Sequence, residues 1–87
     1  MRSRYTAYVR GDGDHLFRTW HPRTRPDDLP DRPDPGWRGL TIVDAPPPDG
    51  DHAEVVFVAE HARFTLRERS RFEHRRGRWV YVDGEIG

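Results

Sequence analysis

The sequence contains no cysteine, lysine, asparagine or glutamine. Without cysteine, the chain forms no disulfide and offers neither a thiolate ligand for zinc nor a cysteine nucleophile. Its basic residues are all arginine: 15 of them balance 15 acidic residues, so the net charge is zero. A neutral chain has no overall electrostatic attraction to nucleic acid or to a membrane surface.

Long apolar runs are also missing. No stretch approaches the roughly 18 apolar residues of a membrane span, and no apolar run follows the basic start as in a secretory signal. We therefore expect a cytoplasmic protein without membrane association. The 87 residues allow one domain with a small core, and an aromatic content of 11% separates the chain from the disordered class.

Two short helices are predicted at the start of the chain. In residues 1–10, Met1, Tyr5, Tyr8 and Val9 share one helical face. The following "GDGD" is turn chemistry, in which a glycine stops the first helix and Asp12 or Asp14 caps the second. The second helix is predicted over "HLFRTW", residues 15–20, and ends before Pro22 because the residue preceding proline avoids the helical region.

Residues 22–36 form a loop rich in proline and aspartate. Five prolines in this segment rule out regular structure. We expect a packed crossover with a mobile acidic tip.

The rest of the chain predicts four consecutive strands, "WRGLTIVDA", "HAEVVFVAEHARF", "TLRERSRFEH" and "WVYVDG". Short links between them favour an antiparallel meander. Helices followed by strands indicate an α+β fold, with two N-terminal helices packed on one face of a curved four-stranded sheet in a single domain over residues 1–87.

Alternation along the third strand separates its two faces. One set is Leu66, Glu68, Ser70 and Phe72, and the other is Arg67, Arg69, Arg71 and Glu73. We expect the first set to face the helices. In the last strand we assign Trp79 and Tyr81 to the same inward face, and Val80 and Val82 to the other.

Five blocks in this order carry a family resemblance: "MRSRYTAYV", "LFRTWHP", "W.GL.I", "ERSRF" and "G.W.YVDG". Together they resemble the YchJ-like family of bacterial proteins of unassigned function, over essentially the whole chain. The resemblance implies the cone-shaped α+β fold of the nuclear transport factor 2-like, or cystatin-like, superfamily, which agrees with the order of elements.

The resemblance also bears on where the chain starts. In relatives, the first block lies behind a cysteine-rich zinc-binding segment of the SEC-C type, which this sequence lacks. We expect a piece of a longer protein in preference to a lineage that lost its metal module. No cofactor or metal role carries over, and the five histidines show no zinc-ligand spacing.

Cone folds often leave a pocket at the wide end of the sheet, and a set of polar and aromatic residues could line it here. A carboxylate turned inward at Glu68 must find a partner or a shifted pKa. We expect it to pair with Arg4 or His21, with a general base or ligand contact as the alternative. The candidate pocket residues are Arg4, Tyr5, Tyr8, Trp20, His21, Glu68, Ser70, Phe72, Trp79 and Tyr81.

No catalytic set stands out among these residues. His21, at the end of a helix, is expected to bond loop carbonyls, with partnership to Glu68 or Tyr8 as the catalytic alternative. A triad using Ser70 is weaker, because the serine lies in mid-strand without a nucleophile turn or oxyanion hole.

The second set of the third strand forms an outward row of arginines. We expect a solvated face neutralised by Glu73 and the aspartates, and favour this over nucleic-acid contact because no aromatics accompany it for base stacking. Cone folds also pair through this face, so a homodimer stays open. The function we favour is a small-molecule-binding or interaction module, with a pocket enzyme or a nucleic-acid adaptor as alternatives.

Overall fold

The computed structural model describes residues 2–87, which form two helices followed by four strands. The elements are α1 (Arg2–Arg10), α2 (Gly13–Arg18), β1 (Trp37–Asp44), β2 (His52–His61), β3 (Thr65–Arg75) and β4 (Arg78–Ile86). The strands lie in the spatial order β1-β2-β3-β4, and all neighbours are antiparallel. The predicted α+β class and the meander are thereby confirmed.

The turn between the helices follows the predicted chemistry. Gly11 has a φ of 70°, a left-handed conformation that ends α1 at little cost for glycine. Asp12 then caps α2, because its carboxylate accepts a hydrogen bond from the backbone N–H of His15 at 3.1 Å. The place of Met1 on the apolar face of the first helix lies outside the described residues.

The second helix is shorter at its C-terminal end than predicted. It ends at Arg18, and the next three residues run alongside β4 instead. The N–H of Tyr81 donates to the carbonyl of Thr19 at 2.8 Å, and the N–H of His21 donates to the carbonyl of Tyr81 at 2.7 Å. Hydrogen bonds to a sheet edge thus replace the last helical turn that the Leu16 and Trp20 spacing predicted.

Tight turns join β2 to β3 and β3 to β4, a longer link over residues 45–51 joins β1 to β2, and β4 carries an irregularity. The β3–β4 pairing steps from Arg71 opposite Asp83 to Phe72 opposite Tyr81, so Val82 is the additional residue of a bulge. Such a bulge bends and twists the strands locally. It brings Tyr81 and Gly84 to the same face of the sheet as Phe72 and Ser70.

The face of β3 turned toward α1 is the one expected from alternation. Ser70 is completely buried, and Leu66 and Glu68 lie in a cavity with residues of α1. Arg67 and Arg69 are exposed on the opposite face. The buried apolar residues are Ala7, Leu16, Val56, Phe57, Ala59 and Val80. Since Val56 and Val80 pair with outward residues of β3, parts of the second face are buried too.

The crossover of residues 22–36 is attached to the rest of the chain near its end. The N–H of Asp34 donates to the carbonyl of Val9 at 2.8 Å. Its carboxylate accepts from the N–H of Gly36 at 2.9 Å and lies 3.1 Å from Nε2 of His61. Asp34 therefore ties the loop to both α1 and the end of β2.

Candidate functional site

A cavity of about 280 Å³ lies between α1 and the sheet. Arg4, Tyr5 and Tyr8 reach it from the helix, and Glu68 and Tyr81 reach it from β3 and β4. The remaining lining is apolar: Trp37, Leu40, Phe57, Ala59, Phe64 and Leu66. An apolar enclosure with a few convergent polar groups is the usual form of a small-molecule site.

Arg4 is the most unusual residue of α1, because only 4% of its surface is exposed. Its guanidinium lies 4.3 Å from the ring centroid of Tyr81 and 4.8 Å from that of Trp20. Nη1 donates to the hydroxyl of Thr19 at 3.1 Å. Burial lowers the pKa of Arg4, and the charge of Glu68 acts in the opposite direction. These contacts are cation–π and neutral hydrogen-bond contacts, which hold the cation without a direct ion pair.

Glu68 occupies the sheet side of the cavity. Its Oε2 accepts from the Ser70 hydroxyl at 2.5 Å and from the Tyr81 hydroxyl at 3.2 Å. Within residues 2–87, no hydrogen-bond donor meets its other oxygen, Oε1. The carboxylate also lies over Gly84, where a Cβ would come within 2.5 Å of Cδ of Glu68. The glycine therefore leaves the room that the carboxylate occupies.

Two of the three tyrosines that line the cavity, Tyr8 and Tyr81, are held in their neutral form. Burial raises the pKa of Tyr81, and the charge of Glu68 and its hydrogen bond raise it further. Burial likewise raises the pKa of Tyr8, with the Arg4 charge acting against this shift. A neutral Tyr81 can donate to Glu68 throughout the ordinary pH range, so the carboxylate keeps this partner.

The ten candidate residues divide between several places. Five line the cavity: Arg4, Tyr5, Tyr8, Glu68 and Tyr81. Ser70 lies beneath Glu68, and Trp20 packs edge-on against Tyr81 with ring centroids 4.9 Å apart. Phe72 and Trp79 line a second cavity of about 360 Å³, which Arg4 also borders. Trp79 is 38% exposed there and so does not contribute to the core as expected.

His21 lies on the other face of the sheet, which corrects the prediction that it could pair with Glu68. Its Nε2 is 2.8 Å from Oε2 of Glu73, a residue that pairs with Val80. Its Nδ1 accepts from the backbone N–H of Arg23 at 3.0 Å. Because Trp20 and His21 run along the β4 edge as extended chain, their side chains alternate, and only Trp20 turns toward Tyr81.

Arg4 is the other partner proposed for Glu68, and it is a neighbour without a direct contact. The two charges influence each other, but Thr19 and the aromatic rings hold the guanidinium. The prediction of a direct Arg4–Glu68 pair is therefore wrong. Tyr81 stands between them, with its ring toward Arg4 and its hydroxyl on Glu68.

The weak suggestion of a triad through Ser70 is also wrong. Ser70 is fully buried and donates its hydroxyl proton to Glu68, so its oxygen is not presented to the cavity. His21 lies across the sheet from it. The residues that would form the triad are thus on different faces.

Sequence reasoning missed the aromatic wall of the cavity. Trp37, at the start of β1, packs edge-on against Tyr5, His61 and Phe64, with ring centroids 5.0 to 5.8 Å apart. Phe64 lies in the turn that closes the β2–β3 hairpin, where the N–H of His61 donates to its carbonyl at 2.8 Å. Alternation in β1 and β2 marks Leu40, Phe57 and Ala59 as one face, but it does not reach residues in the turns.

The outward arginines Arg69 and Arg71 form ion pairs with acidic residues other than the expected Glu73. Arg71 contacts Asp83 at 2.7 Å and Glu85 at 2.8 Å, and Arg69 contacts Glu54 at 3.5 Å. Glu73 is turned to His21 instead. The row on this face is therefore part of a mixed-charge surface.

Two classes of feature are not found between residues 2 and 87. No group of three or more histidine and acidic side chains is placed to hold a metal ion. No helix in the same range combines the length and apolar character needed to cross a membrane.

Comparisons with known proteins point to one family. Residues 1–84 match the family described as "YchJ, middle NTF2-like domain". The chain is 51% identical to the UPF0225 protein of Streptomyces coelicolor, over 99% of this chain and 71% of the relative. It is 49% identical to that of Streptomyces avermitilis and 46% identical to that of a Polaromonas species.

These relatives are longer than the chain. It spans 63% of the Streptomyces avermitilis protein and 65% of the Polaromonas protein, with alignments over 99% and 98% of this chain. No solved structure matches the chain.

Proposed function

We propose, on the premise that this chain belongs to the family of the YchJ middle NTF2-like domain, that the cavity beneath α1 binds a small molecule with an aromatic ring. The fold itself does not select this function, because related architectures serve many purposes. The observation that carries the proposal is Glu68, a carboxylate with one oxygen that no described protein donor meets, at the wall of a mostly apolar cavity.

The lining supports a ring-shaped ligand. Tyr5, Trp37 and Phe64 form a connected aromatic wall of the cavity, and Tyr81 also lines it. Aromatic side chains pack favourably against a planar ring in edge-on or offset geometry. A volume of about 280 Å³ suits a ligand of one or two rings.

A pocket enzyme is the weaker alternative. The catalytic version joined Glu68 to His21, and these residues lie on opposite faces of the sheet. Glu68 would have to act with Tyr8 or Tyr81, whose raised pKa values make them poor bases and poor acids near neutral pH. We therefore propose binding without catalysis.

A nucleic-acid adaptor is weaker still. Arg69 and Arg71 are engaged by Glu54, Asp83 and Glu85, so the face carries both signs of charge. Steep salt-dependent RNA binding, lost in an Arg67, Arg69 and Arg71 triple alanine variant, would reverse this view. A cytoplasmic location and a homodimer stay predictions, which cell fractionation and sedimentation analysis test.

The cavity is tested by NMR titration with 3-phenylpropanol, a neutral aromatic probe. We expect the indole N–H signal of Trp37 to shift and that of Trp79 to stay, because only Trp37 lines this cavity. Ala59→Leu fills the cavity and should abolish the shift. Ala53→Leu adds the same volume beside the second cavity, also from β2, and should leave the shift intact.

Either of two results would overturn the proposal. One is an unchanged Trp37 signal at the solubility limit of the probe. The other is equal binding by the folded Ala59→Leu protein. Because Ala59 is only 2% exposed and overpacking can unfold a small core, Leu66→Phe serves as a second filling variant at a less buried position.

A further inference from the structure

Arg4 and Glu68 pose a problem of charge in the same cavity. Both side chains line it, and the contacts described for each are with neutral groups. Arg4 is held by Thr19 and two aromatic rings, and Glu68 by two hydroxyls. Removing a charged side chain from water costs free energy unless an opposite charge contacts it. Arg4 and Glu68 lie at one cavity without direct contact, so each can still bind an oppositely charged group of a ligand.

From this arrangement we propose that the cavity takes an aromatic zwitterion of amino-acid size, with its ammonium group on Oε1 of Glu68 and its carboxylate toward Arg4. The inference deepens the proposed binding function and rests on it. The ring would pack in the apolar part lined by Leu40, Phe57 and Leu66. Since the two protein charges cancel, a ligand that carries both signs leaves the filled cavity neutral, whereas a singly charged ligand does not.

The supporting geometry is the position of Tyr81. Its hydroxyl donates a hydrogen bond to Oε2 of Glu68 at 3.2 Å, and its ring centroid lies 4.3 Å from the guanidinium of Arg4. The tyrosine thereby keeps the two charges apart without neutralising either. A guanidinium can hold a carboxylate through paired hydrogen bonds, and a carboxylate oxygen is a strong acceptor for an ammonium group.

Four probes that share a phenyl ring separate the contributions. Phenylalanine carries both charges, phenethylamine only the amine, 3-phenylpropionate only the acid, and 3-phenylpropanol neither. We expect phenylalanine to bind about tenfold tighter than 3-phenylpropanol in calorimetric or NMR titrations, since one charged hydrogen bond is worth roughly that factor. Each singly charged probe should bind more weakly than phenylalanine.

The protein side of the test uses matched charge removals. Glu68→Gln should abolish the advantage of phenylalanine over 3-phenylpropionate, and Glu60→Gln, an exposed position on β2, should preserve it. Arg4→Met should abolish the advantage over phenethylamine. If that variant fails to fold, the wild-type comparison between the four probes still decides the question.

The outcomes distinguish the two proposals. If 3-phenylpropanol binds as tightly as phenylalanine, the zwitterion inference is overturned and the cavity proposal stands. The zwitterion inference is also overturned if phenylalanine keeps the same affinity advantage over 3-phenylpropionate in Glu68→Gln as in wild type. If none of the four probes binds, the binding function itself is overturned with it.

Discussion

The hydroxyl of Tyr81 donates to Oε2 of Glu68 at 3.2 Å, while the ring of the same tyrosine faces Arg4. One side chain of β4 thus contacts both charged groups of the cavity. This contact depends on the bulge at Val82, which places Tyr81 opposite Phe72 and Gly84 opposite Ser70. The chemistry that we propose for the cavity follows from this shared neighbour.

Removing the Glu68 charge should make Tyr81 easier to ionise. In Glu68→Gln the negative neighbour that raises the tyrosine pKa is gone, while burial continues to raise it. We expect the pKa of Tyr81 to fall but to stay above its ordinary value of 10.0. Tyrosinate absorbance during alkaline titration measures this, with a Tyr81→Phe variant to identify the signal. An unchanged titration in Glu68→Gln would show that the carboxylate does not face Tyr81 in solution.

Gly84→Ala should displace the carboxylate without unfolding the chain. The new Cβ would meet the end of the flexible Glu68 side chain, which can move aside. We expect the free energy of unfolding to fall by about 1 to 3 kcal/mol, because the buried Ser70 hydroxyl loses its carboxylate acceptor. The Tyr81 pKa should fall as in Glu68→Gln. Gly39→Ala is the matched control, since a Cβ there meets nothing within 4 Å. Equal Tyr81 titrations in the two alanine variants would contradict the packing described.

His21 should matter for stability and not for ligand binding. Its imidazole lies 2.8 Å from Glu73 and is only 8% exposed, so the pair joins the chain after α2 to β3. A double-mutant cycle with His21→Ala and Glu73→Ala should give a coupling of about 1 kcal/mol in urea unfolding. Binding of the phenyl probes should be unchanged in both variants. A loss of affinity for the phenyl probes in His21→Ala but not in Glu73→Ala would contradict this account and show that His21 contributes to the cavity.

Asp34 should contribute to the acid side of the stability curve. The Gly36 N–H and the His61 ring lower its pKa in the folded chain below the ordinary value of 3.8. A carboxyl with a depressed folded pKa stabilises above its unfolded pKa, and this contribution is lost as the pH falls through the folded pKa.

The acid prediction is checked with a loop variant pair. Wild type should lose stability more steeply than Asp34→Asn as the pH falls below about 4 in urea unfolding. Asp27→Asn, exposed in the same crossover, should follow wild type. If the free energy of unfolding falls equally steeply with pH in wild type and Asp34→Asn, this carboxylate does not hold the loop.

Alternation along the strands was enough to predict the floor of the cavity. Leu66, Glu68 and Ser70 face α1 because the period-two pattern of a strand is rigid, and Tyr81 shares their face. That pattern assumes that one face of the sheet is buried. It does not place His21, which lies outside the strands and is on the second face because the chain after α2 pairs with β4.

The remaining misses involve contacts that are distant in sequence. The predicted direct pair of Glu68 with Arg4, one of two expected partners, does not form, because the rings of Trp20 and Tyr81 receive the guanidinium. The wall of Tyr5, Trp37 and Phe64 joins a helix, a strand start and a turn. Periodicity within an element carries no information on how three elements meet. Periodicity also does not predict the local hydrogen bonds of His21 and His61. In each, the ring Nδ1 accepts from the backbone N–H of the second residue further along the chain.

The measurement that tests the cavity proposal most directly is a set of intermolecular NOEs from bound phenylalanine. The account predicts NOEs from its ring protons to the methyl groups of Leu40 and Leu66, which line the cavity, and none to Val56, which pairs with Arg69 on the opposite face. NOEs to Val56 in their place, or no protein NOEs from a ligand shown to bind, would contradict it.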